Sequence, residues 1–234
     1  MSRLQPSDAK QTAEAIAWAA AEGGSLEILG GGTKRALGRP MKTDHVLDVS
    51  RLTGIVAYEP AELVLTARPG ESLASINAEL MKARQMLAFE PPDWRALLGG
   101  QGEETLGGVI ACNLAGSRRV RAGSARDYVL GFSAVNGFGE IWKAGGKVVK
   151  NVTGYDLAKL MAGSFGTLAV LEEITVKVLP RPERACTVLL GGLEAAAAAQ
   201  GRRHARPFPR LSRRQRARRG LQGRRQGGQE RHRL

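Results

Sequence analysis

The chain of 234 residues is poor in the features that mark secreted, metal-binding or membrane-spanning proteins. Its two cysteines, Cys112 and Cys186, are too few for a disulfide framework or a metal cluster. No run approaches the roughly 18 apolar residues of a membrane span, and the first residues lack the basic start and apolar core of a secretory signal. We therefore expect a cytoplasmic location. Aromatic residues make up only 5%, but a hydrophobic content of 43% is sufficient for a globular core.

The body of the chain also lacks an excess of charge, although the net charge is +13. Residues 201–234 hold 13 of the 35 basic residues, all of them arginine, and a single acidic residue, Glu230. The other 200 residues therefore carry 22 basic groups against 21 acidic ones. Because the basic character lies in the tail, the near-neutral body gives no indication of nucleic-acid binding.

Apolar periodicity and turn residues predict a mixed helix and strand fold. Helices are predicted at 7–21, 72–87 and 156–161, the first two capped by Ser7 and Ser72. Strands are predicted at 25–29, 45–49, 54–58, 63–67, 131–136, 140–144, 168–171 and 174–179. Since strands outnumber helices and glycine turns separate them, we expect an α+β fold and not a regular βαβ repeat.

Glycine is abundant, and the segment 99–131 alone contains eight of the 30 glycines. Such a segment can lay its backbone against a flat or phosphorylated ligand, because glycine permits positive φ and has no Cβ to block approach. Glycine-rich turns between strands, which need no ligand, are the alternative interpretation.

A second glycine run, Gly30-Gly31-Gly32-Thr33-Lys34, directly follows the strand predicted at 25–29. Three glycines before Thr and Lys offer consecutive N–H groups, a hydroxyl and a cation, which together can hold a pyrophosphate. The run matches neither the G-x-x-x-x-G-K-[ST] nor the G-x-G-x-x-G pattern. A turn without a ligand is again the alternative.

The order of these segments resembles the FAD-binding domain of the PCMH/vanillyl-alcohol oxidase type. The matching segments are the strand with Gly30–Lys34, Arg68-Pro69-Gly70, Phe89-Glu90-Pro91-Pro92, Thr105 to Gly116, and Gly123 to Asp127. Lys150 to Leu157 and Gly163 to Leu168 resemble the branch of this family that oxidises 2-hydroxy acids, above all the FAD-binding subunits of glycolate oxidases. The resemblance covers roughly residues 23–179.

The resemblance implies a domain over residues 1–182, in which FAD lies between two α/β subdomains. His45 is the only histidine of the body and lies outside the loops, so the FAD is expected to be non-covalent. Neither a metal nor a particular catalytic residue is predicted. Two cradling loops, a following turn and a closing segment would contact FAD through Gly30, Gly31, Gly32, Thr33, Lys34, Thr105, Gly107, Gly108, Asn113, Gly116, Gly123, Asp127, Gly166, Thr167 and Val170.

The resemblance further implies that the chain takes part in oxidising a 2-hydroxy acid, glycolate to glyoxylate, by hydride transfer to flavin. It implies as partners a second flavin subunit and an iron–sulfur subunit of the same complex, through which the chain would associate peripherally with a membrane. An FAD-holding assembly subunit without catalysis is the alternative.

The C-terminal part of the sequence differs in kind from the body. Residues 183–200 are expected to begin a further, truncated region, and residues 201–234 cannot bury enough apolar surface to fold. Arginine without any lysine favours a shifted reading frame in a GC-rich gene for this tail. An arginine-rich RNA-binding arm is the alternative.

Overall fold

The computed structural model describes residues 2–146 and 155–185. Met1–Glu183 form one compact unit. The predictions made for residues 147–154, for the arginine-rich tail and for most of the region 183–200 lie outside the described residues. Within the described ranges, no helix is both long enough and apolar enough to cross a membrane.

The unit contains both helices and strands, and a 3-10 turn at Ala125–Tyr128 precedes the strand that begins at Val129. In chain order the elements are β1 (Ser2–Leu4), α1 (Ala9–Ala21), β2 (Leu26–Leu29), β3 (His45–Asp48), β4 (Ile55–Glu59), β5 (Val64–Ala67), α2 (Leu73–Lys82), β6 (Gln85–Met86), α3 (Arg95–Leu98), α4 (Leu106–Ala111), α5 (Arg119–Ala122), β7 (Val129–Asn136), β8 (Ile141–Gly145), α6 (Leu157–Met161), β9 (Ala169–Lys177) and β10 (Leu179–Pro180).

A two-stranded sheet pairs β6 with β10, and a three-stranded parallel sheet has the strand order β1-β3-β2. Asp48 at the end of β3 is fully buried, and its carboxylate accepts hydrogen bonds from Arg3 Nε at 2.8 Å and Gln5 Nε2 at 2.6 Å. These bonds tie the start of the chain to the sheet. Ile16 of α1 and Leu47 of β3 share a core with Val135 and Val170, which belong to the larger sheet.

The larger sheet is antiparallel and has the strand order β4-β5-β9-β7-β8. Strand β9 is central and pairs with β5 on one side and β7 on the other. The main core packs α2 and α4 against this sheet, with Ile76, Ile110 and Ile174 fully buried. The α+β class predicted from the sequence is confirmed.

Three local predictions need correction. Asp8, not Ser7, caps α1, because the Asp8 side chain accepts from Gln11 N at 2.9 Å. The helix predicted at 72–87 ends at Lys82, although Ser72 caps it as expected. The strands predicted at 168–171 and 174–179 are one strand, since β9 absorbs Glu172 as an extra residue, with Leu171 opposite Ala134 and Glu173 opposite Ser133.

Candidate functional site

A cavity of about 420 Å³ is lined by three parts of the chain: strand β2 with the loop after it, helix α4, and the segment that leads into β9. Most of the residues predicted from the sequence to contact FAD line this cavity. They are Gly30, Gly31, Gly32, Thr33, Lys34, Thr105, Gly107, Gly108, Gly166, Thr167 and Val170. Segments more than 130 residues apart in sequence are therefore brought to one site.

Asn113 and Gly116, also predicted to contact FAD, do not line the cavity. Asn113 has a left-handed backbone with φ 50°, and its Oδ1 accepts from Arg126 N at 2.9 Å. Gly116 packs against the Glu90 backbone so closely that a Cβ would overlap the Glu90 carbonyl oxygen. Both residues hold the chain that follows α4, and a contact with FAD stays a prediction for them.

Gly123 and Asp127 likewise lie away from the cavity lining. Asp127 Oδ2 accepts from Ser124 N at 2.7 Å and from Ser124 Oγ at 3.1 Å. These hydrogen bonds, the backbone one foremost, lower the pKa of the Asp127 carboxyl. Gly123 has φ +86° and leaves the room that the Asp127 carboxylate occupies. The pair shapes the turn before β7, as expected, and its contact with FAD also stays a prediction.

We call Gly30–Lys34 the cradle loop. The backbone N–H groups of Gly31, Gly32 and Thr33 donate to no acceptor within the described part of the chain, although all three residues line the cavity. Gly32 adopts φ +72°, a conformation that favours glycine. Successive free N–H groups of this kind bind anions well.

The cradle loop rests on a second glycine-bearing piece, Gly100–Glu104, which we call the support segment. A Cβ on Gly31 would overlap the carbonyl oxygen of Glu103, and a Cβ on Gly102 would overlap that of Gly31. A Cβ on Gly100 would lie 2.8 Å from Thr33 Cα. These glycines therefore allow two stretches of backbone to touch. The support segment belongs to the glycine-rich segment 99–131, which was predicted to lie against a ligand, and its contact with the cradle loop was not predicted.

A buried ion pair joins the same two pieces. Lys34 Nζ lies 2.9 Å from Glu104 Oε1 and donates also to Thr33 Oγ1 at 2.9 Å. The Lys34 and Glu104 side chains are only 7% and 11% exposed. Because removing one partner of a buried pair leaves an uncompensated charge, the pair strongly couples the cradle loop to the support segment.

Helix α4 contributes bare backbone to the cavity. The resemblance implied a loop over residues 105–116, but Leu106–Ala111 are helical. Thr105 caps this helix, because its Oγ1 accepts a hydrogen bond from Gly108 N at 3.3 Å. Gly107 is required by packing, because its Cβ would lie 2.7 Å from Pro69 Cβ. A Cβ on Gly108 would meet only Thr105 Oγ1, at 3.3 Å. Protein packing thus does not demand glycine at 108, and its absent side chain leaves the helix open to the cavity.

The third wall combines strained backbone with a thiol. Phe165 has φ +54° and is 57% exposed, and Gly166 after it has φ +76°. A left-handed conformation is uncommon for a bulky residue. The Phe165 N–H donates to Ala111 O at 2.9 Å, which fixes this segment to the end of α4. Cys112 follows there, and burial raises the pKa of its thiol.

These walls fit a ligand with an anionic group and a flat apolar part. The cradle loop supplies free N–H groups, Gly108 supplies bare backbone, and Leu29, Val170 and Leu171 supply apolar surface. The volume lies within the range of about 300–1,000 Å³ typical of ligand pockets. Val170 was among the residues that the resemblance implied, whereas Leu29 and Leu171 were not, and only the alternation in the strand at 25–29 could have indicated Leu29 from the sequence.

Comparisons with known proteins agree with this chemistry. Residues 3–145 match the family model described as FAD binding domain. Glycolate oxidase subunit GlcE of Escherichia coli K12 is 52% identical over 158 residues, which are 67% of this chain and 43% of that protein. Glycolate oxidase subunit GlcD of Bacillus subtilis 168 is 35% identical over 151 residues, which are 64% of this chain and 30% of that protein. The chain thus spans less than half the length of these curated relatives.

Among solved structures, one of an alkyldihydroxyacetonephosphate synthase has the same fold, with a TM-score of 0.60. The likeness covers 78% of this chain and 32% of the other, at 18% sequence identity. It bears on the fold alone.

Proposed function

We propose, given that this chain belongs to the family of PCMH-type FAD-binding domains, that it holds FAD in the cavity described above as the flavin-binding subunit of a 2-hydroxy-acid oxidase. One observation carries the proposal: the free N–H groups of the cradle loop and the bare backbone at Gly108 line the same cavity. The cradle loop would bind the diphosphate, and α4 with the apolar residues would bind the ring system.

In this role the protein supplies position and electrostatics, while bound FAD would supply the capacity to accept a hydride. The names of the relatives support glycolate as substrate and a multi-subunit complex as the working form. We propose a second flavin subunit and an iron–sulfur subunit as partners, with peripheral membrane association through them.

A second candidate is an FAD-holding subunit that performs no catalysis by itself. Among the described residues that line the cavity there is no histidine, and the one carboxylate, Glu27, is paired with Arg35 at 2.6 Å. A group able to take the proton from a substrate hydroxyl would then come from outside the described residues that line the cavity.

One spectroscopic experiment on the purified full chain distinguishes the two candidate functions. We expect a yellow protein whose FAD is released on acid precipitation, because no covalent link is predicted. Bleaching of the flavin by glycolate in the isolated chain supports the oxidase subunit, and bleaching only after the partner subunits are added supports the holding role. A chain that takes up no FAD rejects both.

A further inference from the structure

We propose that Glu104 is a positioning residue of the FAD site, and that Lys34 fastens the cradle loop to the support segment instead of contacting the diphosphate. The inference rests on the proposed function. It revises the role that the motif suggests for Lys34, in which the ammonium group adds positive charge to the anion site.

The geometry of Lys34 carries the first step. Its ammonium group has three N–H donors, and two acceptors, Glu104 Oε1 and Thr33 Oγ1, each lie 2.9 Å away. The side chain is 7% exposed. A lysine that is held in this way has its charge balanced by Glu104, so it adds little net charge to the cavity.

The surroundings of Glu104 carry the second step. Its carbonyl oxygen accepts from Leu73 N at 2.9 Å, which ties the support segment to the start of α2. The nearby Asp93 and Arg95 are hydrogen-bonded to each other, with Arg95 Nη2 donating to Asp93 Oδ2 at 2.7 Å, and the charge of Arg95 reaches Glu104 without a hydrogen bond between them. Lys34 is therefore the partner of the Glu104 carboxylate, and the ion pair connects the cradle loop to the main core through this segment.

Backbone contact carries the third step. Gly31 touches Gly102 and Glu103 at the same junction, so a small displacement of the support segment must displace the cradle loop. The anion donors of the site are the N–H groups of Gly31, Gly32 and Thr33. The spacing of these N–H groups depends on the contact between the cradle loop and the support segment, and the Lys34–Glu104 pair holds the two pieces together.

A double-mutant cycle tests the assignment. The variants Glu104→Gln, Lys34→Met and their combination are compared with the wild-type full chain by FAD titration, followed through flavin fluorescence, and by thermal unfolding without FAD. Each single variant leaves one buried charge unpaired, and we expect each to weaken FAD binding by about tenfold. The double variant is expected to bind FAD more tightly than either single variant, because neither buried charge is left unpaired.

A direct contact between Lys34 and the diphosphate gives a different pattern. Glu104→Gln would then release Lys34 and bind FAD as tightly as the wild type or more tightly, and the double variant would bind no better than Lys34→Met; either result overturns the proposal. Raised salt separates the models too, since a balanced Lys34–Glu104 pair leaves the salt dependence of FAD affinity equal in the wild type and in the double variant, both of which carry no net charge at these two positions.

Glu79→Gln is the control for loss of a paired carboxylate as such, because Glu79 pairs with Lys82 at 2.5 Å on the exposed surface of α2. It is expected to leave FAD affinity unchanged. If Glu104→Gln does not fold, the double variant decides: it must fold and bind FAD more tightly than Lys34→Met. If the wild type binds no FAD, the proposed function fails, while the melting temperatures still report whether Lys34 and Glu104 stabilise each other.

Discussion

Gly102 packs directly on the backbone of Gly31, so that a Cβ on Gly102 would overlap the Gly31 carbonyl oxygen. The two residues belong to different glycine-rich pieces of sequence, and each piece could be interpreted separately as a ligand loop. In the structure they form one double layer, in which the layer at the cavity, Gly30–Lys34, is supported by the layer Gly100–Glu104. The glycines of this site thus have two distinct purposes, and substitutions separate them.

Alanine at Gly31 or Gly102 should destabilise the protein, because a methyl group would have to displace backbone. We expect the free energy of unfolding to fall by about 1–3 kcal/mol, with loss of FAD binding. Urea denaturation and flavin titration measure the two effects. Gly137→Ala is the control, because nothing lies within 4 Å of a Cβ there. A stable Gly102→Ala variant with normal FAD affinity would contradict the double layer.

Alanine at Gly108 should separate stability from binding. Alanine forms helices better than glycine by about 1 kcal/mol, and the new methyl group meets only Thr105 Oγ1, so the melting temperature should not fall appreciably. Because the methyl group enters the cavity, FAD affinity should fall by about tenfold. The opposite pattern is expected for Gly116→Ala, which lies outside the cavity and clashes with the Glu90 carbonyl oxygen. Unchanged FAD affinity in Gly108→Ala would argue against a cofactor at α4.

Cys112 reports occupancy of the cavity. Burial raises the pKa of its thiol, so little thiolate is present at neutral pH and maleimide should react slowly, faster as the pH rises. Bound FAD should slow the reaction further, because Cys112 lines the cavity. Mass spectrometry of the labelled peptide measures the rate, with Cys112→Ala identifying any label on Cys186. Equal rates with and without saturating FAD would place the cofactor elsewhere.

Glu172 should make stability depend on pH. This residue is the extra one in β9 and is 6% exposed, and its Oε1 has no hydrogen-bond partner among the described residues. Burial, opposed by a hydrogen bond from Thr12 and by the charge of Arg68, raises the pKa of its carboxyl above the ordinary 4.5. The charges of Asp8 and Glu173 add to the rise. The neutral form is therefore favoured in the folded state.

A raised carboxyl pKa gives stability that is complete below the unfolded value and is lost as the pH rises through the folded value. Glu172→Gln should therefore be more stable than the wild type at pH 7, by about 1 kcal/mol, and the difference should shrink as the pH falls through the raised folded pKa, reaching its smallest value below 4.5. Denaturation curves at several pH values measure this. Glu62→Gln, at an exposed position whose charge does not act on Glu172, is the control, and a pH-independent difference for Glu172→Gln would refute the account.

The sequence predicted the cradle loop because a glycine run followed a strand, a purely local pattern. It did not predict that residues 100–104 support this loop, since the contact of Gly31 with Gly102 joins positions about 70 residues apart and leaves no trace in either motif. The pairing of Lys34 with Glu104 could not be found for the same reason. Neighbouring Glu103 is an equally good candidate in sequence, and only the fold selects between them.

Secondary structure shows the same division between local and distant causes. Ser72 was found as a cap because a cap depends on a few adjacent residues. The continuity of β9 across Glu172 and Glu173 depends instead on pairing with β5 and β7, which outweighs the charged pair in its middle. Helix α4 contains Gly107 and Gly108, which discourage helix formation, and its packing on Pro69 and Glu71 overrides that preference.

The central place of β9 also sets an order in time. No strand connects β5 with β7 until residues 169–177, which form β9, have been synthesised. One wall of the cavity also depends on this part of the chain, since it is made by residues 164–171. Domains form as their chain emerges from the ribosome, but here the glycine loop at residues 30–34 must wait for more than 130 further residues. A nascent chain interrupted before β9 would carry the cradle loop without the remainder of the cavity. Cofactor binding is consequently one of the last events in the synthesis and folding of this domain.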